Sequence, residues 1–379
     1  MEIQRLSAES PHRREDGSTR LAGRIIVSAM RSWLLILLAG LGLAAPGRGD
    51  AVDDLMRDAM RQHPIPGAAL AIVRRGQTVK TAAYGMANLE WRAPATPETA
   101  FEIGSMTKPF TAAAILLLAQ EGKLAVDDNI SRYLKDTPSS WSRISIRQLL
   151  THTSGLRNYT GLGGFELARH LTQAQFIAQI AAQPLDFAPG EKWSYCNSGY
   201  NLLGYIIENA SGKSYGDFLQ QNLFAPLGMS ATALREPRAI LPRRAGGYET
   251  NRAGQFLNRD PDVTDLFSAG ALVSTVGDLA KWNAALEADG ILTAASRAQM
   301  WTPVRLNNGT THPYGLGWFL EPWQGHANIG HSGSTSGFSA SLQRFPEAGL
   351  TVILLTNSDE FDIATKLARE IAGLEMSLK

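Results

Sequence analysis

The helix predicted directly after Ser105 most constrains this chain, because it is apolar on nearly every side. The run from Phe110 to Ala119 contains alanine, leucine, isoleucine, phenylalanine and a single threonine. A helix that is hydrophobic all round is stable only when other elements surround it. Pro109 suits the first turn, where backbone N–H groups lack intrahelical partners. The sequence therefore predicts a buried helix whose N-terminus carries Ser105.

Ser105 and Lys108 form the only Ser-x-x-Lys pattern among the 379 residues. Residues three apart share one face of a helix, so the lysine reaches back toward the serine hydroxyl. Serine is a weak nucleophile until a base takes its proton, and lysine is such a base when desolvation disfavours its charged form. Alone, the pattern also fits a capped helix with a surface lysine.

Two further motifs follow in order, at Tyr195-Cys196-Asn197 and at His331-Ser332-Gly333. Together with the Ser105 motif they resemble those of the penicillin-recognising serine hydrolases. That group contains class C β-lactamases, D-alanyl-D-alanine peptidases, D-amino-acid peptidases and β-lactamase-like esterases. The resemblance covers residues 55–375, including the segments 149–156 and 223–229.

The fold class expected from the pattern is α/β in the α+β sense, similar to the D-alanyl-D-alanine peptidases and β-lactamases. Residues 67–79 predict two strands around a glycine turn. Residues 314–319 start a strand-rich tail, in which 338–345 and 350–356 predict a hairpin that turns at 346–349. A single antiparallel sheet is therefore expected from both chain ends, flanked by helices, with a mostly helical lobe inserted.

The domain organisation predicted from this pattern is one catalytic unit of two lobes. The sheet lobe comprises residues 51–104 and 305–379, with a closing helix at 361–373. The helical lobe comprises residues 105–304, and residues 1–50 form an export signal region. The active site is expected in the cleft between the lobes, where ligand pockets often form.

The first two motifs suggest a division of catalytic labour. We predict Ser105 as nucleophile and Lys108 as its base or proton shuttle. The resemblance implies that Tyr195 shares the acid/base work with this lysine. It also implies that Asn197 orients Lys108 and hydrogen-bonds a substrate carbonyl.

The third motif is expected to form an edge strand along the substrate. His331 stands where class C β-lactamases usually carry lysine, and His-x-Gly is more typical of the peptidase and esterase relatives. A histidine there can donate to the tyrosine or to a substrate carboxylate. Gly333 is expected to leave room for substrate, and the N–H groups of Ser334 and Ser105 to form an oxyanion hole.

Three other residues are set aside as catalytic candidates. Ser214 lies in a Gly-x-Ser-x-Gly match, but that motif needs a strand–turn–helix elbow and here it separates two predicted helices. Cys196 lies inside a motif that already has a role, and one thiol is too little for a cysteine protease. His152 is expected to be a structural hydrogen-bonding residue rather than a metal ligand.

Composition and the N-terminal segment limit partners and location. The net charge of +1 gives no reason to expect nucleic acid, and the sequence shows no metal-ligand spacing and implies no cofactor. An apolar stretch from Trp33 to Ala45 follows Arg31 and precedes small residues, as in a signal peptide within residues 30–50. The predicted location is periplasmic or secreted, with no stable membrane span after cleavage. Translation could begin at Met1 or Met30.

The function predicted from the sequence is that of an exported serine hydrolase. Ser105 forms an acyl-enzyme with esters or with small or D-amino-acid amides, as an esterase or peptidase. Two alternatives remain open. One is a class C-like β-lactamase, and the other is a penicillin-binding protein that acylates but turns over slowly.

Overall fold

The computed structural model describes residues 50–163 and 166–377, so the predicted export signal at 30–50 lies almost wholly outside the described residues. None of the helices in this part of the chain is long and apolar enough to cross a membrane.

The α-helices are α1 (Ala51–Gln62), α2 (Thr107–Gln120), α3 (Ile146–Leu150), α4 (Gln173–Ala181), α5 (Asn197–Ser211), α6 (Tyr215–Leu219), α7 (Phe267–Gly270), α8 (Val276–Glu287), α9 (Ala294–Met300) and α10 (Ile363–Ser377). The strands are β1 (Gly67–Arg74), β2 (Gln77–Asn88), β3 (Ala93–Pro94), β4 (Phe101–Glu102), β5 (Ala233–Leu234), β6 (Tyr248–Thr250), β7 (Phe256–Asn258), β8 (Leu272–Ser274), β9 (Val304–Arg305), β10 (Thr311–His312), β11 (Ile329–Thr335), β12 (Phe338–Phe345) and β13 (Leu350–Thr356).

The main sheet joins the two ends of the described chain. Its six strands run in the order β11-β12-β13-β1-β2-β3, and every neighbouring pair is antiparallel. The pairing of β1 with β13 closes the sheet between the N-terminal and C-terminal segments. This confirms the expected sheet built from both chain ends, and it places β11 at an edge.

The central strands β1 and β13 are buried on both faces, because successive side chains point to opposite sides. Leu70 pairs with Leu354 on the face that packs against α1 and α10. Ala71 pairs with Ile353 on the face that packs against the larger core. The sheet is therefore a layer between the two terminal helices and the remaining helices, including α2.

Helix α2 is the buried helix that the sequence predicts. Eleven of its fourteen residues are buried, which agrees with its apolar composition on all sides. Its one polar side chain in the middle, Thr111, donates to the Ser268 carbonyl oxygen at 2.7 Å and contacts the Tyr215 hydroxyl at 2.8 Å. Helix α2 therefore runs through the protein with its N-terminus inside the molecule.

The hairpin predicted near the C-terminus is confirmed, and the strand-rich tail that contains it starts at 314–319 with a bridge and a loop rather than a regular strand. β12 and β13 have the expected bounds, and a 3₁₀ turn joins them. Within 314–319, Tyr314 and Phe319 form an isolated bridge with each other instead. Gly317 has φ +79°, and a Cβ on Gly315 would lie 2.0 Å from the Met300 carbonyl oxygen. The two glycines thus permit a tight loop.

The lobe boundaries at 104/105 and 304/305 stay predictions.

The β11–β12 hairpin turns at Gly337, where a substitution tests the backbone conformation. Thr335 pairs with Phe338, so Ser336 and Gly337 form the loop. Gly337 has φ +87°, and a Cβ on it would lie 2.2 Å from the Arg259 carbonyl oxygen. We expect Gly337→Ala to lower the free energy of unfolding by more than the roughly 1–2 kcal/mol that a left-handed backbone costs an L-residue.

The matched control is Gly122→Ala, because Gly122 has φ +69° and open space where a Cβ would stand. Urea unfolding of both variants separates backbone strain from steric conflict. Equal losses in the two variants would show that the hairpin tolerates a Cβ at Gly337.

Candidate active site

Ser105 lies in a 3₁₀ turn, Gly104–Met106, that leads directly into α2. The Ile103 N–H donates to the Leu272 carbonyl oxygen at 3.0 Å, so this turn is anchored to β8. Gly104 has φ +50°, and a Cβ on it would lie 2.6 Å from the backbone nitrogen of Ser334. The turn that presents Ser105 therefore touches the edge strand β11 through backbone alone.

Lys108 is fully buried at the head of α2. Its Nζ lies 2.9 Å from Ser105 Oγ, 2.8 Å from Asn197 Oδ1 and 2.8 Å from the Ala269 carbonyl oxygen. All three partners are neutral, and burial lowers the pKa of Lys108 well below its usual value. The nearby rings of Tyr195 and Tyr200 favour the cation to some extent, but they do not offset the loss of hydration.

The partners of a neutral Lys108 determine where its lone pair points. A neutral amine has two N–H bonds and one lone pair. The Ala269 carbonyl and Asn197 Oδ1 can only accept, so they take the two N–H groups. The remaining direction, toward Ser105 Oγ, then holds the lone pair. Lys108 is thus arranged to accept a proton from the Ser105 hydroxyl.

Asn197 and Tyr195 come from the segment that starts α5. The Asn197 N–H donates to Asn158 Oδ1 at 3.1 Å, and Asn197 Nδ2 donates to Thr160 Oγ1 at 3.4 Å, which turns Asn197 Oδ1 toward Lys108. The Tyr195 hydroxyl hydrogen-bonds the Ser105 side chain, and burial raises the pKa of Tyr195, so the phenol keeps its proton at neutral pH. The structure brings all four of these predicted residues together.

His331 has different partners from those expected. It is 2% exposed, its Nδ1 donates to the Ser332 carbonyl oxygen at 2.6 Å, and its Nε2 lies 3.2 Å from the Tyr314 hydroxyl. Neither nitrogen is left to donate to Tyr195 or to a substrate carboxylate. Burial lowers the pKa of His331 to about 3, so this ring is neutral.

Tyr314 is a residue of this site that sequence reasoning missed. Its hydroxyl lies 3.2 Å from His152 Nε2 as well as 3.2 Å from His331 Nε2. His152 Nδ1 accepts from the Cys196 N–H at 3.1 Å, so Nε2 carries the hydrogen of the neutral ring. The prediction of His152 as a structural hydrogen-bonding residue is confirmed. Tyr314 thus links the Cys196 segment to β11, and its phenol also interacts with that of Tyr200.

Gly333 is required for a reason other than the one expected. A Cβ on it would lie 1.8 Å from the Ile103 carbonyl oxygen and 3.0 Å from the Ser105 nitrogen. The missing side chain therefore makes room for the turn that carries Ser105, and the expected room for substrate stays a prediction. This contact brings the backbone of Ser105 beside that of Ser334, whose side chain is exposed.

The residues set aside as nucleophiles lie away from this chemistry or are buried in structural roles. Ser214 is the N-cap of α6, where its Oγ accepts from the Asp217 N–H at 3.1 Å. It lies between two helices, so the strand–turn–helix elbow is missing there. Cys196 is buried, and its Sγ contacts the Leu156 carbonyl oxygen at 3.1 Å.

A cavity of about 320 Å³ opens directly onto Ser105. Larger surface cavities exist elsewhere, but Ser105 does not line them. The volume and position suit a small acyl group at the nucleophile. The cavity is lined by Ser105, Tyr195 and residues 331–334, with Phe319, Phe361 and Asp362 on its remaining sides.

An antiparallel sheet backed by α1 and α10, with a buried helix on its other face, is the fold of the penicillin-binding proteins and serine β-lactamases. The sequence profile of the family described as Beta-lactamase matches residues 52–374. The chain therefore belongs to the β-lactamase family of serine hydrolases.

Individual relatives carry different functional names. Penicillin-binding protein 4* of Bacillus subtilis (strain 168) is 33% identical over 318 residues, which are 79% of this chain and 69% of that protein. The octameric penicillin-binding protein homologue from Pyrococcus abyssi superimposes with a TM-score of 0.76 at 29% identity, over 86% of this chain and 77% of that one. The D-amino acid amidase from Ochrobactrum anthropi SV3 superimposes with a TM-score of 0.72 at 27% identity, over 87% of this chain and 99% of that one.

Because His331 is buried and neutral, the free energy of unfolding is expected to fall as the pH falls. Its pKa falls from 6.5 to about 3 on folding, so between these values the unfolded chain binds a proton that the folded chain does not. The contribution of His331 to the free energy of unfolding is complete above pH 6.5. It is lost as the pH falls toward 3, by roughly 1 kcal/mol per pH unit. We expect His331→Gln to flatten the fall in the free energy of unfolding between pH 6.5 and 4.

Urea unfolding at several pH values measures this slope in the wild type and the variant. The buried His152 and the carboxyl groups are common to both proteins and cancel in the difference. Parallel slopes would mean that His331 is protonated in the folded protein.

Proposed function

We propose that this protein is a hydrolase of small esters and amides, including D-amino-acid amides, that works through an acyl-enzyme on Ser105. The observation that carries the proposal is the buried Lys108, whose Nζ lies 2.9 Å from Ser105 Oγ and whose other partners are acceptors. A neutral amine held in this way is a general base for a serine hydroxyl. The presence of a D-amino acid amidase among the structural relatives agrees with this substrate class.

The reaction follows from the arrangement of protons. Lys108 takes the Ser105 proton as Oγ attacks the substrate carbonyl carbon. The N–H groups of Ser105 and Ser334 receive the developing oxyanion. Tyr195, protonated because burial raises its pKa, donates to the leaving oxygen or nitrogen, and the proton on Lys108 replaces it. Water then attacks the ester, its proton passes back through the same groups, and the acid product leaves.

The strand that faces substrate favours esters and amides over β-lactams. Many β-lactams carry a carboxylate, for which class C β-lactamases use a lysine at the position of His331. Here that residue is a neutral ring with both nitrogens already hydrogen-bonded. The relative named a penicillin-binding protein keeps open a second candidate, namely an enzyme that β-lactams acylate and that releases them slowly.

Export is part of the same proposal and rests on the sequence of residues 30–50. The apolar stretch there ends in small residues, as a cleavable signal peptide does.

The proposed nucleophile is tested by labelling and turnover together. A fluorophosphonate probe is expected to add its mass to the peptide that contains Ser105, and Ser105→Ala is expected to abolish both label and hydrolysis of p-nitrophenyl esters and D-phenylalanine amide. Ser214→Ala is the matched control and should keep both. Label on Ser214, or turnover that survives in Ser105→Ala, would overturn the assignment. A chromogenic cephalosporin in the same panel separates turnover from slow release.

The proton-donor role of Tyr195 predicts a loss of turnover without a loss of stability. Tyr195→Phe keeps the ring, and we expect kcat to fall about 10²–10⁴-fold while the melting temperature stays close to that of the wild type. Tyr215→Phe is the opposite control. It removes a buried hydrogen bond to Thr111, 2.8 Å long, away from Ser105, so it should cost about 1 kcal/mol of stability and little activity. Near-normal kcat in Tyr195→Phe would show that Lys108 handles both proton transfers.

A further inference from the structure

The cavity beside Ser105 has an uneven charge among its described lining residues. Asp362 contributes a carboxylate, and the lining contains no lysine or arginine. The two basic groups nearest the nucleophile, Lys108 and His331, are buried, and burial lowers the pKa of both, which disfavours their charged forms. A substrate that enters this cavity therefore meets a negative charge without a balancing cation.

Asp362 projects from a fixed point. Its carbonyl oxygen accepts from the N–H groups of Thr365 and Lys366, both at 3.1 Å, at the start of α10. The next residue, Ile363, is buried against the sheet. The backbone of Asp362 has φ +61°, a left-handed conformation that aspartate and asparagine adopt more readily than other L-residues. The backbone of Asp362 is therefore held beside the cavity by the start of α10.

Aromatic faces accompany this carboxylate. Phe361 is 83% exposed and lines the cavity next to Asp362. Phe319 lines the same cavity and stacks on Tyr195 with ring centroids 6.3 Å apart. An ammonium group is attracted both by a carboxylate and by the faces of aromatic rings. A carboxylate on the substrate is repelled by another carboxylate and is not attracted by the faces of aromatic rings.

We propose that Asp362, with Phe361 beside it, makes this active site selective for substrates that carry an ammonium group close to the scissile carbonyl, and selective against substrates that carry a carboxylate there. The inference rests on the proposed function, because it names the substrate class of the same Ser105 site.

The test uses pairs of substrates that differ in charge but not in shape. On the acyl side, the p-nitrophenyl esters of 4-trimethylammoniobutyrate and 5,5-dimethylhexanoate are compared, with the monoester of glutarate as the anionic member. On the leaving-group side, acetylthiocholine is compared with 3,3-dimethylbutyl thioacetate. The ratio of kcat/KM values within each pair reports discrimination by charge, since shape is shared.

In the wild type we expect the cationic member of at least one pair to be preferred by about fivefold, the scale of a partly exposed ion pair. In Asp362→Asn, which tolerates the same backbone conformation, the ratio should fall toward one, and kcat/KM for the glutarate ester and for a chromogenic cephalosporin should rise. A merely structural role for Asp362 would lower all these values and would raise none. Added salt should also reduce the wild-type ratio.

The matched control is Asp136→Asn, an exposed aspartate with φ +57° that lies in another part of the surface and should leave the ratios unchanged. Turnover of the neutral esters by Ser105, without any preference for the cation in either pair, would overturn this inference and leave the proposed function standing. Failure to turn over any ester would overturn both. A preference that persists unchanged in Asp362→Asn would overturn the role of Asp362.

Discussion

The burial of the Lys108 amine is the constraint on which this site depends. An ammonium ion without a counter-charge is too costly to bury, so the protein holds the neutral form and satisfies its hydrogens with Asn197 Oδ1 and the Ala269 carbonyl oxygen. Those acceptors belong to α5 and α7, and the third partner, Ser105, belongs to the turn before α2. The packing of three helices therefore determines the protonation state of one side chain, and through it the reactivity of the serine.

A second constraint acts through backbone contact. Gly104 and Gly333 face each other so closely that a Cβ on either would meet the backbone of the other segment. This contact sets the spacing between the Ser105 turn and β11, and it gives the proposed oxyanion donors a position that side-chain motion cannot alter. Behind β11, the Tyr314 hydroxyl bridges His152 and His331, so the same strand is braced from its buried side as well.

The electrostatic character of the site depends on which ionisable side chains are buried and which are exposed. Lys108 and His331 are basic in sequence but neutral in the fold. Asp362, by contrast, is exposed at the cavity. Counting charges along the sequence near the motifs would have indicated a cationic site, whereas the folded cavity has the opposite sign. Substrate preference in such a site follows from solvation as much as from residue type.

The sequence by itself determined the features that depend on local spacing. The apolar run after Pro109 requires a buried helix, the three-residue interval places Lys108 beside Ser105, and the turn residues 346–349 between two strand-like segments predict the β12–β13 hairpin. The three motifs in order were enough to recognise the family and hence the fold. These signals are local because helix and strand periods are short.

Only the tertiary structure decided the features that depend on residues far apart in the chain. Tyr314 pairs with His152 across 162 positions, and no periodicity in the sequence connects them. The need for Gly333 comes from the Ile103 carbonyl, and Asp362 lines the cavity because α10 returns to pack against β12 and β13 of the sheet. The physical reason is that close approach of backbones and loss of hydration are properties of the packed molecule, which a linear pattern of residue types does not contain.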